Sequence, residues 1–201
     1  MQRKGGILTA KSQQTKALID ETIRELLKEK SYNELMLKDV YTRAGITPSI
    51  FYYYYDNLNA AIMYSFPMMD SHFGPEFIAG IQGLPWREKA IAYARTYGAA
   101  SQLGGHYYSA QIFKAQLDSG SVVTNPRRGI YQCLISILTE GAAEFSACLS
   151  PCVLADRMIA CIRGIACDWC MTKSEASLAD LEADAVSMLI DGAVARAKAV
   201  N

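Results

Sequence analysis

The chain is 201 residues long, 51% hydrophobic and 20% charged, which supplies apolar sequence for a core and excludes a disordered tail or a disulfide-stapled miniature. No apolar run reaches the ~18 residues of a membrane span, and the opening MQRKGGILTAKSQQTK lacks the apolar centre and cleavage pattern of an export signal. A cytoplasmic protein with no membrane partner is expected. The 20 basic and 20 acidic side chains cancel, but not by position: Arg3, Lys4, Lys11 and Lys16 precede residue 17 with no acid among them, while residues 65–201 carry eleven basic and thirteen acidic residues. Residues 1–14 read as a basic arm of the kind that meets phosphates electrostatically.

From Thr15 to Glu29 the apolar residues Leu18, Ile19, Ile23, Leu26 and Leu27 recur at three- and four-residue steps. They predict an amphipathic helix with Lys16, Asp20, Glu21, Arg24, Glu25 and Lys28 facing outward. Leu37 to Ala44 reads as a short second helix and Gly45 as a turn residue suited to positive φ. Thr47 is the N-cap of a third helix, with Pro48 at its first position. That helix runs to about Tyr55, Asp56 or Asn57 caps a fourth from Leu58, and Pro67 kinks or ends the fourth. Further helices are expected near 86–102, 105–118, 126–148, 151–172 and 176–198, separated by turn chemistry such as Gly83-Leu84-Pro85, Gly104-Gly105 and Ser150-Pro151. With no strand signal, the fold class is all-α, about nine helices. Its divisions are the arm at 1–14, a three-helix module at 15–57 and a helical domain at 58–201.

Two short helices joined through Ala44-Gly45-Ile46-Thr47, buttressed by an earlier amphipathic helix, form a helix-turn-helix at residues 37 to 55. In that motif the second helix enters a DNA major groove. Leu37, Val40, Ala44, Ile46, Phe51 and Tyr55 have the spacing that locks the pair together, so they are assigned to the core. The exposed face of the third helix then carries Pro48, Ser49, Tyr52 and Tyr53, with Lys38 beside it. A tyrosine hydroxyl bonds a phosphate oxygen or a base edge while its ring fills the groove, and Ile50 or Pro48 packs on thymine methyls. Lys38, Ser49 and Tyr53 are the base-reading candidates.

Residues 15–61, TKALIDETIRELLKEKSYNELMLKDVYTRAGITPSIFYYYYDNLNAA, resemble the N-terminal domain of the tetracycline-repressor (TetR) family of bacterial transcription regulators. The family's run of aspartate, aliphatic, small residue, Ala-Gly-Val-Ser and Leu-Tyr-x-x-Phe reads here as Asp39, Val40, Tyr41, Ala44, Gly45, Ile46, Thr47, Phe51, Tyr52 and Tyr55. Residues 164–194, GIACDWCMTKSEASLADLEADAVSMLIDGAV, resemble the two closing helices through which that family dimerises. The resemblance implies a homodimer on a palindromic double-stranded DNA operator, released by a small-molecule effector. Thr47 and Tyr52 would hold phosphates, and Tyr54 stands in the place of a family histidine near the DNA backbone. Four departures stand out. Leu35 and Met36 replace the threonines that open the second helix, removing a hydroxyl cap worth ~1 kcal/mol; Tyr41 replaces an alanine, Ile50 a small or hydroxylated residue, and Leu58 a lysine.

In the family an apolar cavity lies among the middle helices, and its ligand moves the fourth helix. The resemblance therefore makes Phe73, Tyr93, Tyr97, Tyr108, Phe113 and Trp169 candidates for a ligand-binding wall. His72, His106, Arg95, Gln111 and Lys114 are the candidate polar anchors. For the dimer interface, small residues at Ala160, Gly164, Ala166, Gly192 and Ala193 allow close helix approach, with Ile165, Trp169, Val186 and Leu189 as apolar filling.

Six cysteines, Cys133, Cys148, Cys152, Cys161, Cys167 and Cys170, lie in the second half, none with histidines at zinc-finger spacing. No metal and no cofactor is expected. Cys167 and Cys170 have the spacing of a redox pair inside a predicted helix with no strand before it, so buried reduced thiols are the plainer reading. A helical thiol-based redox sensor or oxidoreductase is the alternative function. No Ser-His-Asp or Cys-His motif and no phosphate-binding glycine loop occurs, so an enzyme is not expected.

Overall fold

The computed structural model describes residues 10–63, 69–120 and 123–200. Among the described residues the structure is all-helical, with eleven α-helices, one 3₁₀ turn and no strand. α1 (Ala10–Glu29) begins ahead of the expected Thr15, so Lys11 and Lys16 both ride on the helix; residues 1–9 of the predicted arm lie outside the described residues. α2 (Leu37–Ala44) and α3 (Pro48–Tyr54) are joined through Gly45, whose φ of +64° is the left-handed value the turn requires. The Thr47 hydroxyl accepts the Ile50 N–H at 3.3 Å, as its position before Pro48 predicts. α4 (Leu58–Met63) is capped by Asn57, whose Oδ1 accepts the Ala60 N–H at 2.8 Å. The kink expected at Pro67 lies outside the described residues.

The hydroxyl cap that α2 lacks is replaced from within the helix. The Asp39 carboxylate accepts the Met36 N–H at 3.0 Å and the Lys30 ammonium at 2.6 Å, satisfying one orphan amide and tying α2 to the end of α1. Arg43 adds a two-pronged pair with Glu29, at 3.0 and 3.1 Å.

The larger body follows. It begins with a 3₁₀ turn (Met69–Phe73) and α5 (Pro75–Gly80), both too short for apolar periodicity to announce. α6 (Trp86–Gln102) and α7 (Gly105–Ser119) fall where predicted. The single helix expected over 126–148 is two, α8 (Gly129–Glu140) and α9 (Ala142–Phe145). The break is at Gly141, where the Trp86 ring lies so close that no Cβ fits, and Trp86 Nε1 donates to Glu144 Oε1 at 2.6 Å. α10 (Pro151–Thr172) starts on the Ser150 cap, and α11 (Leu178–Val200) runs back along α10 and α6.

Two main cores result. One is built from Ile19, Ile23, Leu26, Leu27, Val40, Phe51, Tyr55, Ile62 and their neighbours, all fully or almost fully buried. The other lies in the body around Tyr93, Leu134, Leu138, Phe145, Leu154, Met158, Val186 and Ile190. One surface expectation on α1 is overturned: Asp20 is 2% exposed, because α1 and α4 pack on α7 and bring the Tyr108 hydroxyl to 2.6 Å from its carboxylate. Leu18, expected inward, is 45% exposed.

Candidate nucleic-acid interface and ligand cavity

The third helix presents its predicted face. Lys38, Thr47, Pro48 and Ser49 are exposed, Tyr52 is 50% and Tyr53 69% exposed, and Tyr54 is half-buried. Phe51 and Tyr55 point the other way, into the module's core. The face is stiffened by its aromatics: Phe51 meets Tyr41 and Tyr52 edge-on, each at 5.7 Å between ring centres, and Tyr53 meets Tyr54 at 4.9 Å. This accommodates Tyr41, an oddity in the sequence. Burial, and after it the hydrogen bond with the Tyr52 hydroxyl, push its phenol up to about 12. Lys16 of α1 lies 5.9 Å from the Tyr54 ring centre and 5.7 Å from that of Tyr55, adding a cation beside the aromatic cluster.

A cavity of about 130 Å³ opens where α1, the 3₁₀ turn, α6, α7 and α10 meet. α1 supplies Asp20 and Arg24, the 3₁₀ turn Met69, Ser71 and His72, and α6 Tyr97, Ala100 and Ser101. α7 supplies Tyr108, Ser109, Ile112, Phe113 and Gln116, and α10 supplies Arg163. Of the aromatic residues put forward from sequence, Tyr97, Tyr108 and Phe113 therefore line it, as does His72 among the polar anchors. Asp20, Arg24, Gln116 and Arg163 escape sequence reasoning, because each sits on a helix face that periodicity marks as solvent until a neighbouring helix covers it. Burial raises the Asp20 carboxyl above its ordinary range, opposed by the hydrogen bond from Tyr108 and by Arg24, whose Nε is 3.1 Å away.

The remaining candidates are drawn elsewhere by packing. Phe73 and Tyr93 stack on each other at 4.5 Å inside the body's core, and the Tyr93 hydroxyl donates to the Ile130 carbonyl at 3.3 Å. Trp169 is 3% exposed; it stacks on His106 at 3.8 Å and donates its indole N–H to the Ala176 carbonyl at 3.1 Å, closing the α10–α11 turn. His106 is thereby occupied, Arg95 pairs with Asp180 at the surface, and neither Gln111 nor Lys114 reaches the cavity.

The interface residues divide in the same way. Val186, Ala193 and Trp169 are buried within the chain's own core, as is Ala166, so none of them is available to a second subunit. Ile165 and Leu189 are half-buried at its edge. The large apolar residues were taken first by the single chain, and what α10 leaves outside is the neighbouring stripe Val153, Ala160, Gly164, Cys167 and Met171. α11 leaves Leu181, Met188, Gly192 and Ala195, and an open groove lies between the two around Gly164, Asp168 and Leu181.

The six thiols are free, but of these expected buried residues only Cys133 is buried; Cys148, Cys161 and Cys170 are half-buried and Cys152 and Cys167 exposed. Burial pushes Cys170 up to about 12 and Cys133 up to about 11, the opposite of an attacking thiolate. Among the described residues no group of three or more metal-ligating side chains gathers, and no helix is long and apolar enough to cross a membrane.

The chain shares its fold with a bacterial transcriptional regulator. A solved structure of FadR from Bacillus subtilis, in complex with stearoyl-CoA, superposes with a TM-score of 0.67 over 88% of this chain and 98% of that one. At 18% sequence identity the likeness is one of fold. No family model and no curated protein matches the sequence.

Proposed function

We propose that this chain is a ligand-responsive, DNA-binding transcription regulator of TetR type. In this reading it is a cytoplasmic homodimer that sits on a palindromic operator and is released by a small-molecule effector. The observation that carries the reading is a shared helix. α1 is at once the support of the helix-turn-helix and, through Asp20 and Arg24, a wall of the cavity. A ligand that prefers one setting of α1 against α7 therefore shifts the setting of the recognition helix, by no more than its differential affinity for the two states. The fold shared with a regulator whose structure holds stearoyl-CoA supports both halves of the reading.

In this scheme residues 15–57 bind DNA and residues 58–201 sense and dimerise. Lys38, Ser49 and Tyr53 read bases, Thr47, Tyr52 and Tyr54 hold the backbone, and Pro48 packs in the groove. Two copies meet through the exposed stripes of α10 and α11, whose Gly164 and Gly192 have open space in front of them and admit a close partner. Recognition helices about one duplex turn apart, ~34 Å, then read both halves of a palindrome. Mobility-shift assays on DNA flanking the gene test this directly: sequence-specific binding that weakens with salt is expected. Its absence at low salt would sink the proposal. Tyr52→Ala is expected to abolish binding without altering the melting curve, and wild-type affinity in that variant would remove Tyr52 from the contact surface.

A further inference from the structure

Two guanidiniums line the cavity, and they are held differently. Arg24 has a partner in Asp20. Arg163 lies with its guanidinium carbon 5.1 Å from the Phe113 ring centre and is hydrogen-bonded to the Tyr97 hydroxyl, while its Nη1 is buried without a hydrogen-bond partner. Among the described residues no carboxylate pairs with it. Glu182 on α11, which also faces Tyr97, supplies no counter-charge: it is completely buried, and burial raises its carboxyl to about 9, so it is protonated at neutral pH. A half-buried cation with an unused donor is costly to leave so; a planar guanidinium is matched by a carboxylate or a phosphate, and of the two the carboxylate is the smaller head.

Size narrows the ligand further. About 130 Å³ compares with the ~150 Å³ of an engineered cavity that holds one benzene, so the space takes an aromatic ring or a chain of about six carbons. Its apolar wall, Met69, Ile112, Phe113 and Val123, suits such a body. We propose that the cavity takes a small amphipathic carboxylate, its head on Arg163 and its ring or short chain against that wall. This rests on reading the cavity as the effector site. It departs from the long acyl chain held by the FadR structure.

The test uses the full chain and matched probes of equal shape: benzoate against benzamide and hexanoate against hexanamide, with stearate as the long-chain comparison, titrated by ligand-observed NMR. The acids are expected to bind at least ~10-fold tighter than their amides. Arg163→Met is expected to bring each acid down to its amide while melting cooperatively. If that variant fails to fold, the acid-to-amide ratio on the wild type decides alone. Equal binding of acid and amide, or stearate tightest of all, overturns the proposal. Amides that bind as well as acids and still weaken operator binding would leave the effector site standing and remove only its preference for anions. Absence of binding by every probe overturns both.

Discussion

The helix-turn-helix module and the helical body build their cores from different reaches of chain. The body's core draws on residues between Phe73 and Val194 and on nothing from the module. The module's core draws on Ile19 to Ile62 and then takes in Tyr108 from α7, with Tyr107 and Ile112 packed against it. The body is thus closed on itself and the module is not. The module is completed by a residue of the body, and that residue, Tyr108, is also a wall of the cavity.

The largest expected way to break this asymmetry is Phe51→Ala. Phe51 is completely buried at the centre of the module, and its truncation is expected to cost ~3–5 kcal/mol. Hydrogen exchange should show α2 and α3 losing protection while α6 and α11 keep theirs; equal loss in both regions would mean the body is not independent.

The body has its own weak point in Glu182. Its folded carboxyl titrates near 9 against an ordinary 4.5, so the folded state keeps a proton that the unfolded state gives up. The contribution of this one group is therefore fully present below 4.5 and is lost as pH rises from there toward 9, by about 3 kcal/mol at pH 7. Glu182→Gln has no such titration, so its urea midpoint should decline less over that window than that of the wild type. Parallel pH profiles would show that Glu182 is not the group responsible.

Tyr108→Phe sharpens the comparison at the seam. It leaves the ring in place and removes the 2.6 Å bond to buried Asp20, an expected loss of ~1–3 kcal/mol. Exchange should quicken in α1 and not in α11; equal quickening in both would mean that the bond does not act at the seam.

The smallest effect belongs to Asp39. Lys30, and after it the Met36 N–H, hold its carboxyl below the usual carboxylate range. Its contribution is present above that range and is lost as pH falls through the lowered value. Asp39→Asn should remove that acid sensitivity from α2, followed by circular dichroism of the module, and should leave the body's acid transition where it is.

Much of the site was legible in the chain. Gly45, Thr47 and Pro48 announce their turn and cap by backbone chemistry alone, and the alternation of Phe51 and Tyr55 with Tyr52 and Tyr53 assigns inner and outer faces. Tyr97, Tyr108 and Phe113 reach the cavity wall, but Phe73, Tyr93 and Trp169 do not. Periodicity says that a helix face is buried and is silent on whether a side chain or a cavity lies across from it. For a related reason the strongest apolar residues put forward for an interface, Trp169 and Val186, go to the chain's own core, while the small residues Ala160, Gly164 and Gly192 are left outside.

By itself the sequence determined the all-helical class, the turn at Gly45, the caps at Thr47 and Ser150 and which residues of α3 face outward. These follow from residues within a few positions of one another, where caps, turns and the 3.6-residue repeat act. Only the tertiary structure decided that Asp20 is buried, that Arg163 faces a cavity and that Gly141 breaks a helix. Each depends on a partner that arrives from far along the chain, Tyr108 lying 88 residues beyond Asp20 and Glu144 58 beyond Trp86. No local pattern records which distant helix will cover a given face.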